Sequence, residues 1–449
     1  MSEQGTKQLS EINAGNIKKC VITSNNGKSI DVSAGIVDFR YYESILSNYI
    51  SAQAIIVDTG YISDGKKSQS TKGILDDLPI RGGEKFEIEF TDASNPQHTL
   101  QLILYVNRIL SVDPGTVKEN FILNLTPIDY INNELTRVVK RYQGKISDNV
   151  KSILNDVLQT GLTVTVDDTA INYNFFGNDR KPFYVCTWLA SKSTSQSAGS
   201  GSRGSIGGSA GYLFYQTHKG FNFRSIDKLL EQTADKKYIF TNTTNISEAR
   251  ESQGYKSMLS VNIDRNVDLQ SNLALGVYHN RTVFYDPVSF NYVVLNFDIE
   301  DQRDKITTAG ETPASTFIKP EFVKGPTRLM TNILDIGFNP TGNTPEEQLQ
   351  NWKAAKTIPN YDSPRTQVQS IMRYNQLFTI QTNIMIAGDL SIKAGDMVDC
   401  AFIQLEGRGS GEINKETEGK YLVAYVCHRL TPSDTFTSLG LVRDSYKKA

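Results

Sequence analysis

Two glycine-rich segments of the sequence have spacings that phosphate-binding loops use. Gly27-Lys28-Ser29 matches the end of the P-loop motif, but the first glycine of that motif falls at Ile22. The segment also joins two predicted strands, whereas a phosphate loop opens a helix whose N-terminus faces the anion. Gly199-Ser200-Gly201-Ser202-Arg203-Gly204 spells the dinucleotide motif G-x-G-x-x-G, but a predicted strand follows it in place of a helix. Neither segment therefore predicts nucleotide binding.

The residue types that could carry metal, thiol or acid–base chemistry are scattered. The histidines offer no H-x-x-x-H pair and the cysteines no C-x-x-C pair, which argues against a metal site. Adjacent acids would point to opposite faces of a strand and make no dyad by themselves, although the fold could still pair distant acids. No G-x-S-x-G nucleophile motif occurs. The residues concerned are His98, His218, His279, His428, Cys20, Cys186, Cys400, Cys427, Asp76, Asp77, Asp167 and Asp168.

We therefore predict no catalytic residue, no cofactor and no metal, with the histidines satisfied or at the surface and the cysteines as buried, reduced thiols. The composition agrees with a structural role. The net charge of −2 gives no overall argument for nucleic-acid binding. The chain has no apolar run long enough to span a membrane and no secretory signal at its start, which favours assembly in a reducing cytoplasm.

The chain of 449 residues is too long for one ordinary core, and its 21 Tyr, 20 Phe and 33 Gly favour strands joined by turns. The first 130 residues predict a β-barrel or sandwich, with clear alternation in Phe86-Glu87-Ile88-Glu89-Phe90. An Asn-Gly pair between extended segments marks a hairpin. The predicted strands are Lys18–Thr23, Ser29–Tyr41, Ala52–Val57, Lys85–Thr91, Thr99–Ile109 and Phe121–Pro127.

Helical spacing and strands mix in the middle of the chain. Ser147 is the expected N-cap and Gly161 the expected stop of one helix. The Ser/Gly-rich segment 191–211 is expected to be mobile in the isolated chain and to settle against a neighbour. The predicted helices are Asn133–Tyr142, Ser147–Gln159, Phe183–Ala190, Ile226–Leu230, Glu346–Ala355 and Arg365–Leu377, and the predicted strands are Tyr212–Gln216, Gly220–Ser225, Val283–Pro287 and Tyr292–Ile299.

The C-terminal region predicts an antiparallel meander of three apolar segments joined by Gly-Asp turns and a charged loop. The segments are Ile384–Cys400, Tyr421–Leu430 and Phe436–Asp444.

Four stretches, in this order and spacing, resemble the baseplate central hub proteins of contractile-tailed, T-even-like bacteriophages. They are Val32–Ile45, Phe183–Ser225, Gly388–Cys400 and Tyr421–Asp444. The resemblance spans most of the chain and is weakest between about 235 and 370. Each stretch is a strand or helix with a turn, so the match rests on the four together.

The resemblance implies a mainly β chain with α+β insertions: two related β-barrel, tube-type domains plus two smaller α+β domains. The first barrel would cover 1–130 and a helical α+β domain 131–210. The second barrel would be discontinuous, 211–235 and 376–449, around a mixed α+β insertion at 236–375. The resemblance also implies a homotrimer in the virion tail that joins the hexameric tail tube to a trimeric central spike and contacts other baseplate proteins. The genome would pass through the ring without specific nucleic-acid binding.

Other assignments remain open at the level of sequence. The chain could be another tail β protein, such as a distal tail or receptor-binding module. It could be a tail-associated cell-wall hydrolase, which would need two acids converging in a cleft. A contractile injection system could also use the same hub architecture as a phage tail.

Overall fold

A computed structural model gives the fold of most of the chain. It describes residues 16–59, 73–91, 98–115, 118–196, 209–241, 251–264, 268–287, 290–298, 306–313, 318–333, 344, 346–347, 350–351, 360, 363–404 and 412–447. The G-x-G-x-x-G segment at 199–204 lies outside these residues, as do most of the Ser/Gly-rich segment and most of the helix predicted at 346–355.

The first 126 residues contain a β-barrel, as alternation predicted. Its elements are β1 (Asn16–Thr23), β2 (Ser29–Asp31), β3 (Ile36–Ser44), β4 (Ser51–Asp58), α1 (Ile74–Asp77), β5 (Lys85–Thr91), β6 (Thr99–Asp113) and β7 (Glu119–Thr126). The strand order is β3-β4-β7-β6-β5-β1-β2. A 3-10 turn at Ser33–Gly35 bends the chain from β2 into β3, so the sheet closes on itself. Phe39 stacks on Phe86 and meets the edge of Phe90 in the interior.

A second core lies between Ile128 and Leu230. Its elements are α2 (Ile128–Leu135), β8 (Arg141–Tyr142), α3 (Ile146–Ser152), β9 (Val164–Val166), β10 (Phe175–Phe176), α4 (Pro182–Ala190), β11 (Tyr212–Thr217), β12 (Gly220–Ser225) and α5 (Ile226–Leu230). β11 and β12 form the predicted hairpin, and β9 adds to it in parallel. Aromatic side chains dominate the interior, where Phe183 packs on Phe214 and Phe221.

Two helix predictions in this region are wrong in their bounds. The helix expected at Asn133–Tyr142 lies at Ile128–Leu135, directly after Pro127. Val138 forms an antiparallel bridge with Arg180, donating its N–H to Arg180 O at 2.8 Å, and Arg141–Tyr142 pair with β10. These residues are therefore extended and not helical.

The caps of the next helix also differ from the prediction. α3 begins at Ile146, and Ser147 lies inside it, with its backbone N–H donating to Thr169 Oγ1 at 3.1 Å. The helix continues as a π-turn over Ile153–Val157, and the left-handed residue after it is Gln159, with φ 57°, in place of Gly161.

The described residues from Lys236 onward form a second barrel with an insertion. The elements are β13 (Lys236–Phe240), β14 (Tyr255–Ser257), β15 (Ser260–Asp264), α6 (Leu269–Leu275), β16 (His279–Asp286), β17 (Asn291–Asp298), β18 (Thr312–Pro313), α7 (Pro320–Val323), β19 (Arg328–Ile333), α8 (Ser363–Leu377), β20 (Ile380–Ala387), β21 (Met397–Phe402), β22 (Gly419–Leu430), β23 (Thr435–Arg443) and β24 (Ser445–Tyr446). The insertion carries the sheet β17-β16-β19, against which α8 packs.

The C-terminal meander is only partly as predicted. β21, β22 and β23 pair in sequence, but β20 does not pair with β21; it pairs along the whole of β23. The Gly388–Gly395 segment therefore crosses the end of the barrel, where Ile392 is buried, and does not form a tight hairpin turn.

The second barrel repeats the strand order of the first. Around the second barrel the order is β13, β14/β15, β20, β23, β22, β21, and back to β13. Around the first it is β1, β2/β3, β4, β7, β6, β5, and back to β1. The β14/β15 strand changes partner as β2/β3 does: Met258 N–H bonds Ile239 O of β13 at 2.8 Å, and Leu259 N–H bonds Met385 O of β20 at 2.7 Å. β13 differs from β1 only in running parallel to its neighbours.

The repeat extends to an eight-residue segment before the fourth barrel strand in each half. The two segments are Asp77-Leu78-Pro79-Ile80-Arg81-Gly82-Gly83-Glu84 and Asp389-Leu390-Ser391-Ile392-Lys393-Ala394-Gly395-Asp396. Both glycines in the seventh position have positive φ, 86° at Gly83 and 89° at Gly395. Each donates its N–H to a valine carbonyl at 2.8 Å, Val106 in the first barrel and Val423 in the second. The closing acid of each segment also accepts the backbone N–H of Arg81 or Lys393, at 2.7 and 3.1 Å.

These paired glycines allow a matched test of packing. An added Cβ at Gly395 would collide with Tyr215 Oη, whereas one at Gly83 meets only Asn25, at 3.6 Å or more. Both variants carry the left-handed backbone cost of about 1–2 kcal/mol. We expect Gly395→Ala to lower the free energy of unfolding clearly more than Gly83→Ala, measured by denaturant titration of the full chain. Equal losses would contradict the assigned packing of Tyr215.

Candidate assembly interface

The two barrels are joined edge to edge by strand pairing. On one edge of β22, residues Gly419–Leu422 pair with β21 and residues Tyr425–Leu430 pair with β3 of the first barrel. A bulge at Ala424 marks the change of partner. Bulges increase local twist and re-aim a strand, so this one lets a single strand serve both barrels. We call the β3–β22 pairing the barrel junction.

Glu43 is the polar centre of the barrel junction. Its carboxylate is fully buried and accepts hydrogen bonds from Tyr41 Oη at 2.7 Å, from the His218 backbone N–H at 2.7 Å and from the Ala394 N–H at 2.9 Å. His218 Nδ1 lies 3.0 Å away. Burial acts to raise the pKa of Glu43, but His218 and Tyr41 hold it below the ordinary value. Through this one carboxylate, the first barrel holds both the β11–β12 hairpin and the repeated segment of the second barrel.

His428 lies beside this centre and is fixed in one tautomer. It is buried, stacks on Tyr41, and places Nε2 3.2 Å from Ile392 O and Nδ1 3.1 Å from Thr437 Oγ1. A carbonyl only accepts, so Nε2 carries the hydrogen and Nδ1 accepts from the threonine hydroxyl. Burial lowers the pKa of His428, with Glu43 and Asp389 opposing that effect. The ring is therefore neutral and structural.

Two further ion pairs hold the elements around the junction. Asp38 accepts from Arg40 of its own strand and from Arg429 of β22, at 2.8 and 3.0 Å. Burial acts to raise the pKa of Asp38, and the two arginines hold it below its ordinary value. Arg373 of α8 pairs with Asp227 of α5, and both are buried. The insertion is thus tied to the second core by a charge pair that would be costly to break.

The other candidate residues from the sequence do not converge. Lys28 of the P-loop lookalike pairs with Asp77 at the surface, and Asp76 lies in the same four-residue helix. Asp167 binds Arg224 at 2.9 Å and lies 3.7 Å from Lys228, so it is paired with cations. Among the residues that the structure describes, no three His, Cys, Asp or Glu side chains are grouped to hold a metal ion.

The thiols are as predicted at three of four positions. Cys20, Cys186 and Cys400 are buried and free, and burial raises their pKa. Cys427 is free and half-buried, with its pKa raised to about 11, chiefly by burial. None of these thiols is activated as a nucleophile, since activation needs a lowered pKa.

No protein-family model matches the sequence, and no curated protein resembles it in sequence. Several solved structures resemble it in fold. A tail protein from Neisseria meningitidis MC58 aligns with a TM-score of 0.54 and 9% identity, over 95% of this chain and 96% of that one. A 43 kDa tail protein of prophage MuSo2 from Shewanella oneidensis aligns with a TM-score of 0.51 and 7% identity, over 95% and 98%.

The chain shares the fold of these two tail proteins. The expected fold class, mainly β with two related barrels and α+β insertions, is confirmed. Within the described ranges, no helix of this tail-protein fold is both long and apolar enough to cross a membrane. The sequence indicated His218 and His428 only as satisfied or surface histidines and carried no signal for Glu43. The repeated D-L-x-I-[RK]-x-G-[DE] segment is a readable signal of the internal duplication.

Replacing the central carboxylate should loosen the barrel junction. Glu43→Gln turns one acceptor oxygen into an N–H donor that faces other donors, so we expect a loss of about 1–3 kcal/mol in the free energy of unfolding. Glu89→Gln is the matched control, because Glu89 is partly exposed and pairs with the exposed Lys18 at 3.6 Å. We expect that variant to stay within about 0.5 kcal/mol of the parent chain. Chemical denaturation of both variants decides the matter, and equal stability would count against Glu43 as the centre.

The buried imidazole predicts a loss of stability in mild acid. The pKa of His428 lies lower in the fold than its ordinary 6.5, so the unfolded chain takes up the proton first as pH falls. Its contribution is complete above about pH 6.5 and is lost below that value, by at most about 1.4 kcal/mol per pH unit. Glu43 adds a further loss only below its ordinary value of 4.5.

We therefore expect the melting temperature to fall between pH 7 and pH 5, and to fall less in His428→Gln. Glutamine keeps a donor for Ile392 O but does not titrate. Parallel pH profiles for the two proteins would contradict the neutral, buried assignment.

Proposed function

We propose that this chain is a structural, non-enzymatic subunit of a phage tail baseplate and that it forms the central hub as a homotrimer. The tail-protein fold supports the general assignment. The observation that carries the hub assignment is the duplication, since one chain holds two barrels of the same strand order joined edge to edge. Three such chains would present six barrels in a ring with threefold symmetry.

Such a ring would match two neighbours of different symmetry. Its six similar barrels would accept a hexameric tail tube on one face, and its true threefold symmetry would accept a trimeric spike on the other. We propose the domain limits 1–130, 131–210, 211–235 with 376–449, and 236–375 for the parts of this subunit. It would be assembled in the host cytoplasm and reside in the virion tail.

Three buried acids at the contacts between the barrels, the second core and the insertion are consistent with a structural role. Glu43, Asp38 and Asp227 are each satisfied by cations or backbone donors within the fold, and their pKa values lie below the ordinary range. An acid in this state is a poor general acid at neutral pH. A tail hydrolase would require a different pair, and purified chain that cleaves peptidoglycan would reopen that assignment.

The mass in solution tests the proposal. We expect light scattering at several concentrations to give a species of three times the 50.0 kDa subunit mass. Electron microscopy of that species should show a ring with six similar densities. A chain that stays single at every concentration, and also when co-expressed with a trimeric spike protein, would contradict the hub assignment.

A further inference from the structure

Within the part of the chain that the structure describes, the second half of β6 has an unpaired edge. Residues Thr99–Tyr105 pair with β5, and Val106 adds one more bond to Glu84 on the same side. From Arg108 to Asp113 the strand pairs with β7 on its other side. Among the described residues, no strand pairs with the β5-facing edge of β6 beyond Val106. Leu110 and Val112 in this half are 39% and 43% exposed.

The same half of the equivalent strand is covered in the second barrel. β22 changes partner at the corresponding point, with a bulge after Val423 as β6 has a bulge after Val106. Val423 even repeats the bond of Val106, donating its N–H to Asp396 O at 2.9 Å. Beyond that bulge, β3 of the first barrel pairs with β22 and buries His428 and Leu430. The repeat thus shows which kind of strand fits this edge.

The strand that corresponds to β3 is β15, which also has an unpaired edge among the described residues. β3 pairs with β4 on one side and β22 on the other. β15 pairs with β20, the counterpart of β4, and within the described ranges no strand lies on its other side. Its inward residues Val261 and Ile263 are only half-buried, whereas Phe39 and Tyr41 of β3 are fully buried. Open strand edges of this kind readily pair with another chain.

We propose that the free half of β6 in one copy of this chain pairs antiparallel with β15 of the next copy. The inference rests on the proposed ring and names its interface. The contact repeats between chains the barrel junction that β22 and β3 make within one chain. It is heterologous, since one copy gives β6 and the other gives β15, and such contacts generate rings when the rotation closes. Intrachain and interchain junctions would then alternate around six barrels.

The repeat also gives the register. β6 has a second bulge, between Ile109 and Ser111, that β22 lacks, so positions beyond it are matched through the neighbouring strands β7 and β23. His428 pairs with Tyr41 in the barrel junction. Val112 of β6 corresponds to His428 of β22. Val112 pairs with Phe121 of β7, His428 pairs with Thr437 of β23, and Phe121 and Thr437 are at equivalent positions of the two barrels. Ile263 of β15 corresponds to Tyr41 of β3 in the same way. Ile263 pairs with Thr382 of β20, Tyr41 pairs with Ala52 of β4, and Thr382 and Ala52 are at equivalent positions. The structure therefore assigns Val112 of one copy to a position opposite Ile263 of the next.

A cross-link tests this register. Opposed residues on antiparallel strands have Cα atoms about 4.5–5.5 Å apart, within reach of a disulfide. We expect the full chain with Val112→Cys and Ile263→Cys to give covalent dimers and trimers on mild oxidation, seen on a denaturing gel without reductant. The control pair Val112→Cys and Val261→Cys is two residues out of register and should link much less. Each single variant reports any reaction with the half-buried Cys427.

A charge substitution tests the same edge without cysteine chemistry. Val112→Lys places an ammonium group where the proposal buries an apolar side chain, and its 43% exposure within one chain leaves the barrel able to fold. Ile103→Lys is the control, on the same strand and 49% exposed, but in the half that β5 already pairs. We expect light scattering to show loss of the trimer for Val112→Lys alone.

The outcomes separate the interface from the ring. Suppose that the parent chain trimerises, that Val112→Lys is also trimeric, and that the in-register cysteine pair cross-links no more than its single variants. That result would overturn the strand-edge interface and leave the proposed ring standing. A parent chain that never trimerises, even with a trimeric spike protein, would overturn both.

Discussion

Every strand of a barrel must satisfy the backbone hydrogen bonds on both of its edges, and this requirement organises the molecule. A closed sheet meets it by returning to its first strand, which both barrels do with a strand that bends and changes partner. β22 goes further, because one of its edges serves two partners in succession. The barrel junction is thus continuous with the hydrogen bonding of each barrel, and neither barrel can tilt against the other without breaking sheet pairing.

The buried charges act at the same places where elements from distant parts of the sequence meet. Glu43 gathers donors from the hairpin turn and from the repeated segment, and Arg373 ties the insertion to α5. Each charge is desolvated, so it is tolerated only while its partners stay in position. Such groups add little net stability, but they penalise alternative packings strongly. They therefore specify how these elements are arranged more than they strengthen the arrangement.

The sequence was sufficient for local structure wherever one face of an element is buried. Alternation in Phe86–Phe90 and the turn between β11 and β12 gave the right strands, because their side-chain pattern and turn chemistry agree. The predicted helix bounds were wrong where tertiary hydrogen bonds overrode local preference. Val138 donates its backbone N–H to Arg180 O, and Ser147 donates its backbone N–H to Thr169 Oγ1. The partner of β20 could not be inferred, since pairing with β23 rather than β21 depends on long-range topology. Glu43 and His428 carried no local signal, because each is placed by groups from other parts of the chain. These are His218 and Ala394 for Glu43, and Tyr41 and Ile392 for His428.

The division of the second barrel has a consequence for how the polypeptide acquires its structure during synthesis. All the strands of the first barrel lie before residue 127, so that barrel can close while the ribosome is still producing the remainder. β13, β14 and β15 must instead wait until β20 to β23 have been made, more than a hundred residues later. Their contacts are of high sequence separation and slow to form. Once β22 has been made, the finished first barrel offers β3 as a template edge, on which β22 can pair and begin the second closure.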